Sequence, residues 1–226
     1  MNDMIATIAV AAIPMIFGIT LHEAAHGYVA RYFGDPTAAQ AGRITLNPVK
    51  HIDLFGTILM PGLLLLISGG AFAFGYAKPV PVNFGRLRHP KQDMLWVAAA
   101  GPFSNLLMAL LWAFLLFNLP NPPAFPYGAA MMSMCSFGVI INLTLMLLNL
   151  LPVPPLDGGR IVTSLLPMRW AIPYAQLERY GMLIILALLF IPASWLGLRG
   201  NSLLSAILLP LLNACLGLLQ SIFQFF

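Results

Sequence analysis

The sequence predicts an all-α polytopic membrane protein with five to six transmembrane helices, a re-entrant segment and short membrane-associated β strands. The first observation is composition: of 226 residues, 60% are hydrophobic and only 8% are charged, against roughly 25% charged in soluble domains. The mean hydropathy is +0.88. The second observation is a series of apolar segments about 20 residues long, the length that a helix needs to cross roughly 30 Å of hydrocarbon.

Five segments meet this length requirement, and they span about 4–33, 94–118, 130–151, 180–197 and 203–226. A sixth segment, 54–70, is apolar but contains Pro61 and ends in two glycines, so it either crosses the membrane or dips in and returns. The polar stretches between the spans are too short for a separate domain. We therefore expect one integral membrane domain over 1–226, with a core of about 4–165 and C-terminal helices over about 180–226.

The positions of Lys and Arg distinguish the two paths of 54–70, because short cytoplasmic loops are enriched in both residues. If 54–70 crosses fully, the 11 cations divide four against seven between the two faces. If it returns, ten of them share one face and only Arg199 lies opposite. The charge pattern therefore favours a re-entrant segment. The net charge of +4 then reports membrane topology, and we expect no nucleic-acid partner.

The first span contains three ionisable residues within five positions, although each charged group is costly inside a membrane. They form the HExxH pattern of His22, Glu23 and His26. Two His residues at this spacing share one helix face and can bind one zinc ion, with the Glu beside it as general base. With 4 His and 2 Glu in 226 residues, chance predicts roughly 0.0006 such patterns.

A catalytic zinc site needs a third protein ligand. Most of the other acidic residues lie in loops that we expect to be solvated, and these residues are Asp3, Asp35, Asp53, Asp93 and Glu178. Asp157 differs because a Pro-rich break precedes it and Gly158 and Gly159 follow it, which is typical of sites built at membrane depth. Two alternatives remain open. Asp157 could cap a helix, or His51 and Asp53 could supply ligands instead.

Several motifs resemble the site-2 protease family of intramembrane zinc metalloproteases, in the small form without a peptide-binding insert domain. The resemblance covers about 15–165, and its motifs are HEAAH at 22–26, Gly101-Pro-Phe-Ser-Asn105, Asn149 and Leu156-Asp-Gly-Gly-Arg160. The segments 42–48, 51–53 and 78–83 are also similar to the small bacterial and archaeal members. The resemblance therefore implies a multi-pass protein of a bacterial or archaeal cell membrane. The charge pattern places its active site near the cytoplasmic face.

The resemblance implies hydrolysis of peptide bonds in transmembrane segments, with one Zn²⁺ per chain. His22, His26 and Asp157 would be its ligands, Glu23 the catalytic base and Asn149 a group that binds substrate or oxyanion. The expected partners are transmembrane protein substrates and membrane lipid, and the oligomeric state is not predicted. An unwound substrate could pair with strand edges at 43–47 and 78–83. The polar residues Asn105 and Asn142 either support a metal ligand or link two helices.

Two other classes of protein compete with a protease. An ion or metal transporter could also bury His, Glu and Asp beside a Pro-broken helix, but the second half of the chain has no counterpart to the first motif. A non-catalytic scaffold descended from a protease is expected to have lost Glu23 or a ligand, and all of these residues are present.

Overall fold

The computed structural model describes residues 2–51, 53–59, 63, 66, 78–120 and 125–223. In these ranges the helices of eight or more residues are α1 Asn2–Tyr32, α2 Pro90–Phe117, α3 Gly128–Asn149, α4 Asp157–Leu165, α5 Met168–Ala175, α6 Gly181–Phe190 and α7 Leu203–Phe223. Shorter helical turns lie at Thr37–Gln40, Pro48–His51, Leu54–Leu59, Phe84–Arg86, Gln176–Tyr180 and Ala193–Leu196. The all-α prediction is therefore confirmed at this level.

In the described part of the chain, four helical stretches are long and apolar enough to cross a membrane: Pro90–Phe117, Gly128–Asn149, Met168–Phe190 and Leu203–Phe223. Their outer surfaces are strongly apolar, and α2, for example, exposes Phe103, Leu107, Leu111 and Phe114. Large apolar surfaces of this kind are stable only against lipid or protein. The chain is a multi-pass membrane protein. The predicted first span is helix α1, whose 31 residues carry the HExxH pattern.

The main core lies between α2 and α3. Trp112 of α2 packs with Val139 and Leu143 of α3, and Leu219 of α7 completes the same cluster. At Gly138 an added Cβ would lie 2.5 Å from the Trp112 ring, so only glycine lets the two helices approach so closely. This close packing holds α2 and α3 together beside α1.

The chain between α1 and α2 begins and ends at the same end of the bundle. The backbone N–H of Arg88, just before α2, donates to the Phe33 carbonyl over 3.0 Å. The Arg88 side chain also donates to the Tyr32 carbonyl, at 3.0 Å. This geometry favours a segment 54–70 that enters the membrane and returns to the same side. Most of 54–70 lies outside the described residues, so its re-entry stays a prediction.

The C-terminal region differs from the prediction of a span over 180–197. The observed helix α6 ends at Phe190, because Ile191 before Pro192 is extended, as residues preceding proline usually are. Its ten residues cover only about 15 Å, which is too short to cross a membrane alone. The apolar stretch instead begins earlier, at Met168.

Helix α7 ends beside the C-terminal end of α2, since the rings of Phe223 and Phe117 lie 6.4 Å apart. A helix of 21 residues is about 31 Å long, so Leu203 at its start lies far from that contact. The Leu203 N–H donates to the Ile191 carbonyl over 3.0 Å, which keeps the end of α6 beside the start of α7. The structure therefore gives no support to placing Arg199 opposite the other ten cations.

Within the described ranges no β strand is present, so the prediction of short strands at 43–47 and 78–83 is not confirmed. In the second segment, two prolines have no N–H to give to a ladder. The N–H of Val80 donates to the Glu23 carboxylate over 2.7 Å, and the N–H of Asn83 donates to the Asp35 carboxylate over 2.6 Å. Side chains thus satisfy backbone donors that a neighbouring strand would otherwise use.

Candidate active site and metal centre

His22 and His26 lie one turn apart near the C-terminal end of α1, and Asp157 is the first residue of α4. The Nε2 atoms of the two imidazoles are 3.1 Å apart. The Asp157 Oδ2 atom lies 3.2 Å from Nε2 of His22 and 3.3 Å from Nε2 of His26. Among the residues that the structure describes, these three form a group of ligand atoms able to hold a metal ion.

Asp157 reaches this position because the chain turns sharply after α3. Helix α3 ends at Asn149, and the following Pro-rich turn brings the start of α4 against it. A Cβ at Gly158 would lie 2.3 Å from the carbonyl oxygens of Leu150 and Leu151. A glycine is therefore required immediately after Asp157 for α4 to begin here.

Gly101 of α2 faces both imidazoles. An added Cβ there would lie 2.4 Å from Nε2 of His26 and 2.6 Å from Nε2 of His22. Any larger residue would occupy the space in front of the two nitrogens. The motif that contains Gly101 is visible in the sequence, but only the packing of α2 on α1 shows why this residue must be glycine.

The hydrogen bonds of the imidazoles determine where their protons lie. His26 donates from Nδ1 to the Val97 carbonyl over 2.7 Å, and His22 donates from Nδ1 to Oδ1 of Asn105 over 2.7 Å. Each Nε2 therefore presents a lone pair. The Asp157 Oδ2 atom is buried and has no hydrogen-bond partner among the described residues. Three electron-rich atoms thus face one another, an arrangement that a cation stabilises.

The spacing of the three atoms fits zinc. Zinc bonds to imidazole nitrogen and carboxylate oxygen are about 2.0–2.2 Å long, so two ligands of a tetrahedral ion lie about 3.3–3.5 Å apart. The observed separations of 3.1, 3.2 and 3.3 Å are close to these values. The three side chains would therefore suit one face of a tetrahedral zinc site, and all three residues line the adjacent cavity.

This cavity has a volume of about 150 Å³, enough for several water molecules. Glu23 and Asn149 both line it together with the three ligand-type residues. The half-buried Glu23 accepts the Val80 N–H at Oε2. The cavity is also lined by Pro79, Val80, Val82 and Phe84 from the segment before α2, and by Pro155, Leu156 and Arg160 from around the start of α4. All five residues singled out from the sequence thus meet at one place.

The alternative ligand pair lies elsewhere. His51 is buried, and its Nε2 bonds to the Thr45 carbonyl over 3.0 Å. Asp53 accepts the Gly56 N–H over 2.7 Å. Neither residue belongs to the group formed by His22, His26 and Asp157.

The expectation that the other acidic residues are solvated was wrong for Asp35 and Asp93, which are 0% and 5% exposed. Asp93 accepts the His89 N–H over 2.7 Å at the start of α2. Burial alone would raise the pKa of the Asp35 carboxyl. Hydrogen bonds from Thr37 and Asn83 and the charge of Arg86 instead hold that pKa below its ordinary value. The contact of Asp35 with Asn83 joins distant segments and is not visible in the sequence, whereas the partner of Asp93 is local.

Comparisons with known proteins agree with this site. The sequence model of the family "Peptidase family M50" matches residues 126–192, which include Asn149 and Asp157. "Putative zinc metalloprotease YwhC" of Bacillus subtilis (strain 168) is 41% identical over 94% of this chain and 91% of its own length. The chain belongs to peptidase family M50. It is an intramembrane zinc metalloprotease of the site-2 protease type, and a transporter function is not favoured.

A second relative extends the family M50 comparison. "Putative zinc metalloprotease Rip2" of Mycolicibacterium smegmatis is 30% identical over 79% of this chain, which covers 65% of that longer protein. No solved structure is significantly similar to the chain. The cofactor of this M50 peptidase is zinc, and the triangle of His22, His26 and Asp157 is a group with suitable spacing for it.

Proposed function

We propose that His22, His26 and Asp157 hold the catalytic zinc ion and that Glu23 is the general base for peptide-bond hydrolysis. The observation that carries this proposal is the set of three ligand atoms 3.1–3.3 Å apart, with Glu23 on the same helix and lining the same cavity. The proposal assigns each residue a separate role. Glu23→Gln tests the role of the base, and Asp157→Ala tests the metal ligand.

Zinc, when bound, polarises the scissile carbonyl as a Lewis acid and lowers the pKa of water to about 7. The protein's own part is proton transfer. Glu23 accepts a proton from the attacking water and delivers it to the nitrogen of the leaving amine. The hydrogen bond from Val80 to Oε2 holds the carboxylate in place while it carries the proton.

Asn149 is assigned to the developing oxyanion. Its Nδ2 atom donates one hydrogen to the Leu145 carbonyl over 3.0 Å, which anchors the side chain at the end of α3. The second hydrogen of the same amide remains for a ligand in the cavity that Asn149 lines. An amide fixed in this way needs little reorganisation when negative charge develops on the substrate.

Replacing Asn149 by Ala is expected to lower kcat by about 10²–10³-fold, because loss of one oxyanion donor has effects of this size. Zinc content should not change. Cleavage kinetics with a transmembrane peptide in proteoliposomes and metal analysis on the same sample check both expectations. Asn149→Asp keeps the shape, loses both donors and places negative charge beside the developing oxyanion, so it should be impaired at least as strongly. A full kcat in either variant rejects the role.

We also propose that the substrate is a transmembrane segment that unwinds before cleavage. A peptide bond within a helix is shielded by its own hydrogen bonds, so attack requires a local opening. The irregular segment 78–83 forms one wall of the cavity, and the apolar side chains Val80 and Val82 line it. Such a wall suits an extended, apolar stretch of substrate.

The active site is proposed to lie near the cytoplasmic face of a bacterial or archaeal cell membrane. The support is the excess of Lys and Arg in the loops at the end of the bundle that holds the zinc group. Tyr32 and Met168 are exposed near this end, and Asn118 is exposed at the opposite end of α2. These positions allow a direct test of orientation.

Single cysteines at positions 32 and 168, in a variant without Cys135 and Cys215, are expected to react with a membrane-impermeant maleimide only in inside-out vesicles. A cysteine at position 118 should react in intact cells, and it serves as the control for reagent access. The measurement is the fraction labelled in each preparation. Reaction of position 32 in intact cells would reverse the proposed orientation.

A further inference from the structure

Two asparagines with no exposed surface join α1, α2 and α3 behind the zinc group. Asn105 of α2 and Asn142 of α3 are each 0% exposed. The Nδ2 atom of Asn105 lies 3.1 Å from the Gly18 carbonyl and 3.1 Å from Oδ1 of Asn142. The Nδ2 atom of Asn142 lies 2.9 Å from the Gly138 carbonyl. Buried amides inside a membrane are costly unless they are paired, and these are paired with one another.

Backbone carbonyl groups determine which atom donates in each hydrogen bond of Asn105 and Asn142. The Gly138 carbonyl can only accept, so the amide nitrogen of Asn142 faces it and the amide oxygen of Asn142 faces Asn105. That oxygen and the Gly18 carbonyl are both acceptors, so Asn105 directs both of its N–H groups to them. The Oδ1 atom of Asn105 is then left for His22. Rotating either amide by half a turn would place oxygen against oxygen and lose these bonds.

The acceptor oxygen that faces Nδ1 of His22 determines the tautomer of this imidazole. The 2.7 Å contact with Oδ1 of Asn105 requires the proton on Nδ1. The lone pair then lies on Nε2, the atom 3.2 Å from Asp157 Oδ2. His26 obtains the same tautomer directly from the Val97 backbone carbonyl. The two imidazoles are thus held by different means, one by backbone and one by side chains.

We propose that Asn105 and Asn142 are positioning residues for zinc binding: Asn105 fixes the ring orientation and tautomer of His22, and Asn142 acts through Asn105. Gly18 is part of this arrangement, because a Cβ there would lie 2.7 Å from Oδ1 of Asn142. The proposal rests on the assignment of His22 as a ligand. It adds the prediction that a residue on α3 without contact to the ligands controls their affinity for metal.

Asn105→Leu is expected to weaken zinc binding by about 10–100-fold, the usual effect of losing a group that orients a metal ligand. Asn105→Asp keeps an acceptor opposite Nδ1 of His22, so it should bind zinc more tightly than the Leu variant, although it loses the donors to Gly18 and Asn142. Asn142→Leu should have a smaller effect than Asn105→Leu. The measurement is the zinc dissociation constant of the purified, detergent-solubilised protein in competition with a chelator.

The double variant tests whether Asn142 acts through Asn105. If it does, adding Asn142→Leu to Asn105→Leu should weaken zinc binding no further. Leu143→Ala is the packing control, because Leu143 is buried beside Asn142 in the core between α2 and α3. It should lower the Tm of the protein and leave the zinc dissociation constant unchanged.

Three results would overturn the proposal: a parental dissociation constant in Asn105→Leu, equal weakening in its Asp and Leu variants, or additive effects of Asn105 and Asn142. If Asn105→Leu does not fold, Asn105→Asp and Asn142→Leu still decide, since no weakening in Asn142→Leu contradicts its role. Asp157→Ala in the same assay tests the ligand assignment separately. If Asp157→Ala weakens binding and Asn105→Leu does not, only the positioning role fails.

Discussion

Glu23→Gln is expected to lower the rate of peptide cleavage by about 10²–10⁴-fold while the protein still inserts and binds zinc. The amide has nearly the shape of the carboxylate, but it cannot accept the proton that hydrolysis releases. Its carbonyl oxygen can still accept the Val80 N–H, which is 2.7 Å from Oε2 of Glu23 in the parental protein. The segment 78–83 should therefore remain in place.

The experiment compares single-turnover cleavage of a transmembrane peptide in proteoliposomes with the zinc content of the same sample. Substrate affinity should change little, since the substitution removes an interaction used in the transition state. Glu23→Asp is a useful second variant, because it keeps a base but shortens its reach. Cleavage by Glu23→Gln at close to the parental rate, with zinc present, would show that another group is the base.

Asp157→Ala is expected to reduce zinc affinity by more than about 10²-fold, beyond the range seen when only an orienting group is lost. The reason is that two imidazoles supply only half of a tetrahedral set, and the Asp157 carboxylate is the third atom in the observed triangle. Activity should fall in parallel, and excess zinc should restore part of it. Chelator competition and cleavage assays measure the two effects.

Asp157→Asn is the matched control, since it keeps the volume but replaces the charged ligand by a weaker neutral one, and it should give an intermediate affinity. The assignment fails if Asp157→Ala keeps one zinc per chain and full activity. In that case His51→Ala and Asp53→Ala would be examined next, because those residues form the alternative pair.

The sequence predicted the helical membrane fold and the residues that meet at the site, because these depend on local patterns. HExxH places two imidazoles on one helix face by periodicity alone, and the prolines and glycines around Asp157 mark a break near the end of a span. The spans over 94–118 and 130–151 correspond closely to α2 and α3. Composition and spacing are sufficient for these features, whereas the selection of Asn149 rested on the resemblance to the site-2 protease family.

The features that the sequence did not predict depend on contacts between distant segments. The predicted strand at 78–83 is not observed, and carboxylates from α1 and from the loop after it bind two of its N–H groups. The burial of Asp35 was also not predicted, because its partner Asn83 is 48 positions away in the sequence. The carbonyl of Val97 and the N–H of Val80 are backbone groups, which no residue pattern can indicate.

The hydrogen bond between Glu23 and Val80 connects the proposed general base directly to the segment 78–83, which lines the cavity. We expect a polypeptide that displaces the segment 78–83 on entering the cavity to disturb the Glu23 carboxylate as well, because the hydrogen bond between them is 2.7 Å long and directional. A substrate that fits poorly should then be cleaved more slowly as well as bound more weakly. Discrimination between good and bad substrates should thus appear in turnover, so a tightly bound membrane peptide need not be a rapidly cut one.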